Sequence, residues 1–127
     1  MAKIDAVCKE VLDKSEWIAI ATTGPDGPHL VATWGDQLRA LGIEDGTLLI
    51  PVGHMHKTEA NLKHSNRVEL LCATRQVQGT HGPGKGCGIV GTAEFQTAGP
   101  DFDTVKAKFQ WARAALVVIV EEAKPQL

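Results

Sequence analysis

Long hydrophobic runs, paired cysteines and basic patches are all missing from this chain of 127 residues, and each absence removes a class of function. The longest apolar stretch, Ala112 to Val120, is interrupted by Arg113 and is too short to cross a bilayer, so no membrane partner is expected. The opening Met1-Ala2-Lys3-Ile4-Asp5 has no apolar signal-peptide core, which points to the cytoplasm. Cys8, Cys72 and Cys87 are far apart and form no Cys-x-x-Cys pair. Free, mostly buried thiols are expected, with neither a disulfide framework nor a zinc site. The net charge is −2, both signs are scattered and no Arg-rich run occurs, which argues against nucleic acid as a partner. No internal repeat, low-complexity segment or domain boundary is visible. With 43% hydrophobic and 22% charged residues, the chain suits one ordered domain over residues 1–127.

Ile4, Val7, Cys8, Val11 and Leu12 recur at helical spacing and predict an amphipathic helix over residues 3–13. Trp17–Thr23 and His29–Trp34 read as strands joined by the turn Gly24-Pro25-Asp26-Gly27, hence a hairpin. A polar linker with Gly42, Asp45 and Gly46 leads to the strand Thr47–Val52, then to a short helix near Thr58–His64 and a strand Arg67–Thr74. Gly79–Gly88 reads as a glycine-rich loop, and Cys87–Gln96 as a strand whose Gly91 suggests a bulge. A helix follows Gly99-Pro100-Asp101, with Phe102, Val105, Phe109 and Ala112 on one face. Leu116–Val120 lacks polar alternation and is expected to be buried on both faces, with Pro125 ending it. About six short strands and about three helices, without a repeating βαβ pattern, predict a mainly β fold: a small antiparallel barrel with helices outside.

The segment Pro51-Val52-Gly53-His54-Met55-His56-Lys57-Thr58-Glu59-Ala60-Asn61 carries the strongest chemical signal. A strand ends in glycine and feeds a helix that opens with Lys-Thr. A helix N-terminus offers unpaired amides and a positive dipole end; Lys57 adds a charge and Thr58 a hydroxyl, a combination suited to phosphate. Two other glycine patterns fail on context. Gly79 to Gly86 lacks the Ser or Thr that ends a P-loop, and Gly86-Cys87-Gly88-Ile89-Val90-Gly91 runs into a strand where a dinucleotide fingerprint needs a helix. His54, His56 and His64 have no carboxylate or cysteine at a spacing that completes a metal shell, so they read as loop histidines near an anion, with a metal or haem role as the weaker alternative. His29 and His81 are turn or loop residues. Trp34 and Trp111 stand at element ends, where clefts open, and suit either a core role or a planar aromatic ligand.

Four blocks, Gly27–Trp34, Pro51–Asn61, Gly82-Pro83-Gly84-Lys85-Gly86 and Trp111–Val117, together resemble the small bacterial FMN-binding members of the pyridoxamine 5′-phosphate oxidase-like split-barrel flavoproteins. The resemblance runs from about Trp17 to Leu127, and Arg75-Gln76-Val77 echoes the larger oxidases. It implies a six-stranded antiparallel split barrel, a homodimer, and FMN as cofactor near the dimer interface. By matching positions, Lys57 and Thr58 would hold the FMN phosphate with Thr33 nearby. Pro51, Val52 and Gly53 would lie along the isoalloxazine, Trp34 and Trp111 would flank it, and Leu127 would approach the flavin of a partner subunit. The chain departs from the pattern at Ala32 (asparagine there), Gln37 (tyrosine) and His54 (glycine); the last brings a titratable group close to the ring. The function implied is an FMN-binding redox protein, an electron carrier or small flavin-dependent oxidoreductase served by a redox partner protein or a small-molecule electron donor. The alternative is a non-enzymatic module that stores FMN or another phosphorylated ring cofactor. No general base, substrate clamp or pyridine-nucleotide site is identifiable.

Overall fold

The computed structural model describes residues 4–44 and 46–127; Lys3, at the start of the first predicted helix, and Asp45, in the predicted linker, lie outside the described residues. The elements run α1 (Ala6–Lys14), β1 (Trp17–Gly24), β2 (Gly27–Trp34), α2 (Gly35–Leu41), β3 (Thr47–Val52), α3 (His56–His64), β4 (Arg67–Gln78), β5 (Pro83–Gln96), α4 (Pro100–Lys108) and β6 (Ala114–Gln126). All strand pairings are antiparallel, in the order β2-β1-β4-β5-β6-β3, and the sheet curls into the expected split barrel.

α1 starts where Asp5 accepts a hydrogen bond from the Cys8 amide at 2.8 Å, which satisfies one of the orphan donors of the first turn. Its Cys8, Val11 and Leu12 enter the core, whereas Val7 is turned to solvent. The hairpin forms as read, with Gly24 opposite Gly27 and Pro25-Asp26 at the corner.

Four helices are present among the described residues, not the three expected. The extra one is α2, inside the stretch read as a polar linker. It has seven residues and only one buried large side chain, Leu38, so no apolar period could reveal it. Its hold on the fold is non-local: Arg39 Nη1 donates to the carbonyls of Leu12 (3.1 Å) and Ser15 (2.9 Å).

β4 and β5 are longer than predicted because ladder pairing continues into the glycine-rich loop, as far as Gln78 opposite Pro83. β6 also outruns its prediction and passes through Pro125, which pairs with Cys87. β3 covers β6 only from Ala114 to Ile119, so beyond that β6 is an edge, where a missing N–H costs no ladder bond. The bulge expected at Gly91 is there, between Val90 and Gly91; a Cβ at Gly91 would stand 2.1 Å from the Ile119 carbonyl oxygen.

Ile18, Ile20, Leu48, Ile50, Val68, Leu70, Ile89, Leu116, Val118 and Val120 fill the barrel with Leu12 of α1. Each such side chain contributes about 1.5–3 kcal/mol by leaving water. The other face of β6, Ala115 and Val117, packs beneath Val105, Phe102 and Phe109 of the α4 segment. Burial of Leu116–Val120 on both faces therefore holds, except at Ile119, which is exposed. The three cysteines are free and buried, with Cys72 directly across the ladder from Cys87. Thiol–thiol hydrogen bonding with Cys72, and then burial, push the Cys87 thiol far above its ordinary range.

Candidate functional site

β3 delivers the chain to a corner. Val52 is the last strand residue; Gly53, His54 and Met55 turn the backbone, and α3 begins at His56. Met55 makes that turn in the left-handed conformation (φ 58°, ψ 38°), uncommon for a non-glycine residue. The first intrahelical bond runs from the Glu59 amide to the Met55 carbonyl at 2.9 Å, and no side chain caps the helix. The amides of His56, Lys57 and Thr58 are thus left as donors at the positive end of the helix dipole. Thr58 is 1% exposed, and its Oγ1 is the one buried side-chain oxygen or nitrogen among the described residues with no hydrogen-bond partner. A buried hydroxyl without a partner costs about 1–3 kcal/mol, so its place beside Lys57 and an uncapped helix start calls for an explanation.

Lys57 Nζ pairs with Asp26 of the β1–β2 turn, and the ammonium holds the Asp26 carboxyl below its ordinary pKa of 3.8. One turn further along α3, Asn61 Nδ2 donates to Thr22 Oγ1 at 3.2 Å, with both side chains buried. The helix sits so close to the hairpin that a Cβ at Gly24 would stand 2.0 Å from Asn61 Oδ1. Asp26 and Asn61 were not singled out by sequence reasoning. Asp26 carried only a turn signal, and Asn61 stood in the right motif without an evident role.

The third support comes from the segment that leads into β6. The Arg113 amide donates to the Val52 carbonyl at 2.8 Å. Its guanidinium donates through Nε to the His54 carbonyl at 3.1 Å and forms an ion pair through Nη1 with Glu59 at 3.0 Å. The same group lies 5.6 Å from the Phe95 ring centroid. Trp111 packs against Gly53, where a Cβ would meet the indole at 3.3 Å, and its ring is tilted against Phe109 at 5.7 Å. More than half of Trp111 is nonetheless exposed, at 54%. Sequence reasoning missed Arg113 as well; its only mark was the break it makes in an apolar run.

Of the candidate residues, Gly53, His54, Lys57, Thr58 and Trp111 meet at this corner. Pro51 and Val52 adjoin it but are buried, Val52 within the barrel core, so their backbone is what they can offer. Thr33 is buried opposite Ile18. Trp34 stands opposite Trp17, and both indoles are largely exposed on the outer face of the hairpin. Trp34 shares a surface hollow with Glu16, Asp36, Gln37 and Arg39, while Ala32 is exposed on the same face of β2. Leu127 does not join the corner: it lies at the far end of β6, where its carbonyl accepts from the Thr80 amide at 2.9 Å. The 13 residues of β6 separate it from the Trp111 end by roughly 40 Å at ordinary strand rise. His54 and His56 have ring centroids 6.4 Å apart, and among the described residues no cluster of three or more metal-ligating side chains forms. The glycine-rich segment borders a groove of about 530 Å³ with Arg75, His81 and Leu127, away from the Lys57 corner.

Part of the outer face of the sheet is apolar. Leu30 (69% exposed) lies opposite Ala21, and Leu71 (48% exposed) opposite Ala19. With Val90, Gly88 and the Glu122–Lys124 ion pair they border a hollow of about 570 Å³. No helix among the described residues is long and apolar enough to cross a membrane.

A corner of free amides, one ammonium and one unpaired hydroxyl, walled by an exposed indole, is equipped to hold an anion attached to something flat and apolar. Comparison with known proteins agrees in kind. The chain is 48% identical over 118 residues to the FMN-binding protein of Nitratidesulfovibrio vulgaris (strain Miyazaki F), covering 93% of this chain and 94% of that one. Among solved structures, HupZ of Group A Streptococcus superposes with a TM-score of 0.77 at 20% identity, over 97% of this chain and 99% of that one. An FMN-binding protein from Syntrophomonas wolfei superposes at 0.67 and 14% identity, over 95% and 84%. These two likenesses concern the fold. The family model described as pyridoxamine 5′-phosphate oxidase matches residues 4–126, and the chain belongs to that family.

Proposed function

We propose that residues 1–127 form one FMN-binding split-barrel domain that works as a cytoplasmic redox protein. It is an electron carrier in preference to an enzyme with a substrate of its own. The observation that carries the reading is the partnerless Thr58 hydroxyl at the uncapped start of α3. A phosphate there accepts from that hydroxyl and from the first-turn amides, and Lys57 turns to it from Asp26. On the family likeness we also assign Thr33, buried on β2, to this phosphate. The backbone of Pro51, Val52, Gly53 and His54 offers polar partners along the ring, with Trp111 as one wall and, on the family likeness alone, Trp34 as the other. Bound FMN supplies electron-transfer chemistry, while the protein positions it and limits its contact with water.

One chain leaves this site open. Trp111 is largely uncovered, and Leu127 is a strand length away. A homodimer resolves both facts: a second copy packs on the apolar outer face around Leu30 and Leu71 and brings its own Leu127 toward the flavin. Leu116–Val120 is not free for this contact, because it is occupied within its own subunit apart from Ile119.

The primary experiment extracts the ligand from purified protein, identifies it by mass spectrometry, and titrates FMN and riboflavin into the stripped protein. FMN is expected to bind far more tightly than riboflavin, and Lys57→Ala to narrow that gap. Equal affinities for the two would end the phosphate assignment. Sedimentation at micromolar concentration is expected to give a dimer; a monomer that retains FMN would overturn the second-copy arrangement. Reoxidation of the reduced protein by a redox protein, without any substrate turnover, is the expected behaviour of a carrier; a flavin that no donor reduces would indicate storage instead.

A further inference from the structure

We infer that Arg113 is the positioning residue of the phosphate corner: by holding the His54 carbonyl and the Glu59 carboxylate together, it fixes the first turn of α3 in the orientation that selects a phosphorylated ligand. The inference deepens the FMN reading and rests on it for its ligand.

The segment 111–113 grips 52–54 at three successive points. The Arg113 amide bonds the Val52 carbonyl at 2.8 Å, Trp111 lies on Gly53, and the guanidinium bonds the His54 carbonyl at 3.1 Å. Immediately after the last of these comes Met55 in its left-handed conformation, a strained state that persists only where the surroundings over-determine it. The guanidinium is placed to supply that determination. Its remaining edge pairs with Glu59, whose amide makes the first hydrogen bond of the helix, back to Met55. A single planar group therefore fixes both the residue before the left-handed turn and the residue after the free amides. Glu59 on its own would place a carboxylate in the first turn, close to any bound anion; the Arg113 pairing neutralises it and draws it aside. The Phe95 face beneath the guanidinium restricts its other rotamers.

Lysine cannot replace this arrangement, since one ammonium has no fork to address a carbonyl and a carboxylate at fixed angles. The test uses the full chain with Arg113→Lys, Arg113→Ala and, as the variant least able to disturb folding, Glu59→Gln. Affinities for FMN and riboflavin are measured by fluorescence quenching, and exchange protection of the Glu59 amide is measured by NMR on ligand-free protein. Both Arg113 variants are expected to weaken FMN by about ten- to a hundredfold, the range of one or two hydrogen bonds to charged groups, and riboflavin by less than about threefold. The Glu59 amide is expected to lose about tenfold of its protection, with Glu59→Gln intermediate in both measurements. Equal losses for the two flavins, full rescue by Lys, or unchanged Glu59 protection would overturn the inference. If the unmodified protein binds both flavins equally, the phosphate reading has failed, and the exchange result still decides whether Arg113 holds the turn.

Discussion

Replacing Thr58 by valine should make the ligand-free protein more stable and the FMN complex weaker, two effects of opposite sign from one atom. Valine keeps the branched shape of threonine, so packing of this buried residue in the first turn of α3 is preserved. What disappears is a hydroxyl that finds no partner. Leaving such a group buried costs about 1–3 kcal/mol, so the variant should gain about 1–2 kcal/mol in the stripped protein. At this chain length a kilocalorie corresponds to roughly 3–5 °C in melting temperature, so the midpoint should rise by about 3–10 °C. With FMN bound, the same hydroxyl donates to an anionic oxygen, an interaction worth about 1.5–3 kcal/mol, so FMN affinity should fall roughly 10- to 150-fold while riboflavin affinity barely moves. Thr58→Ser, which keeps the oxygen and loses the methyl, should retain the preference for FMN. The assays are calorimetric melting of stripped protein and parallel titration with both flavins. If Thr58→Val melts lower and loses both flavins alike, the hydroxyl is already satisfied in the free protein and the site is misread.

Gly24→Ala forces a methyl against Asn61 Oδ1 and breaks the Asn61–Thr22 bond, so a loss of about 1–3 kcal/mol is expected together with weaker FMN binding; an unchanged melt would contradict the tight docking of α3 on the hairpin. Asp26→Asn removes the internal rival for Lys57 and should tighten FMN but not riboflavin, as titration at low salt would read. Because Lys57 depresses the Asp26 pKa in the fold, the stabilisation from that pair is complete above pH of about 4 and is lost as pH falls below it. The melting temperature of Asp26→Asn should therefore decline less than that of the parent at low pH, and parallel acid limbs would refute the pairing. Leu71→Glu on the outer face should convert the proposed dimer to monomer in sedimentation and weaken FMN with it; an intact dimer would move the interface elsewhere.

The local parts of this fold could be read in the sequence because each rests on neighbours along the chain. The Gly24–Gly27 hairpin, the Gly91 bulge, the mostly buried Leu116–Val120 run and the Lys57-Thr58 helix start all have their signal within a few residues. The missed pieces depend on partners far away. α2 has too few residues to reveal a period and is held by Arg39 reaching back to Leu12 and Ser15. β6 outlasts its apolar run because β5 keeps offering a ladder, past charged residues and a proline. The site divides along the same line. Lys57 and Thr58 were legible, but Asp26 lies 31 residues from Lys57, and Arg113 lies 59 from His54, so no motif could join them.

That division also bears on the proposed second copy at the corner. A helix start, a lysine and a threonine make an anion site, but many proteins have that much; what makes it selective is what stands around it. Here the surroundings come from three directions: the hairpin through Asp26 and Thr22, the α4–β6 connection through Trp111 and Arg113, and solvent. The third side is the one on which half of Trp111 lies bare. A flavin ring placed there in a lone subunit would keep one edge in water and gain little from burial, at about 25 cal/mol per Å² covered. Closing that side with a second copy is the arrangement in which Leu127, a strand length from its own corner and held there by its carbonyl to Thr80, acquires a role; Leu127→Ala, which keeps that carbonyl, should then weaken FMN without lowering the melting point of the stripped subunit.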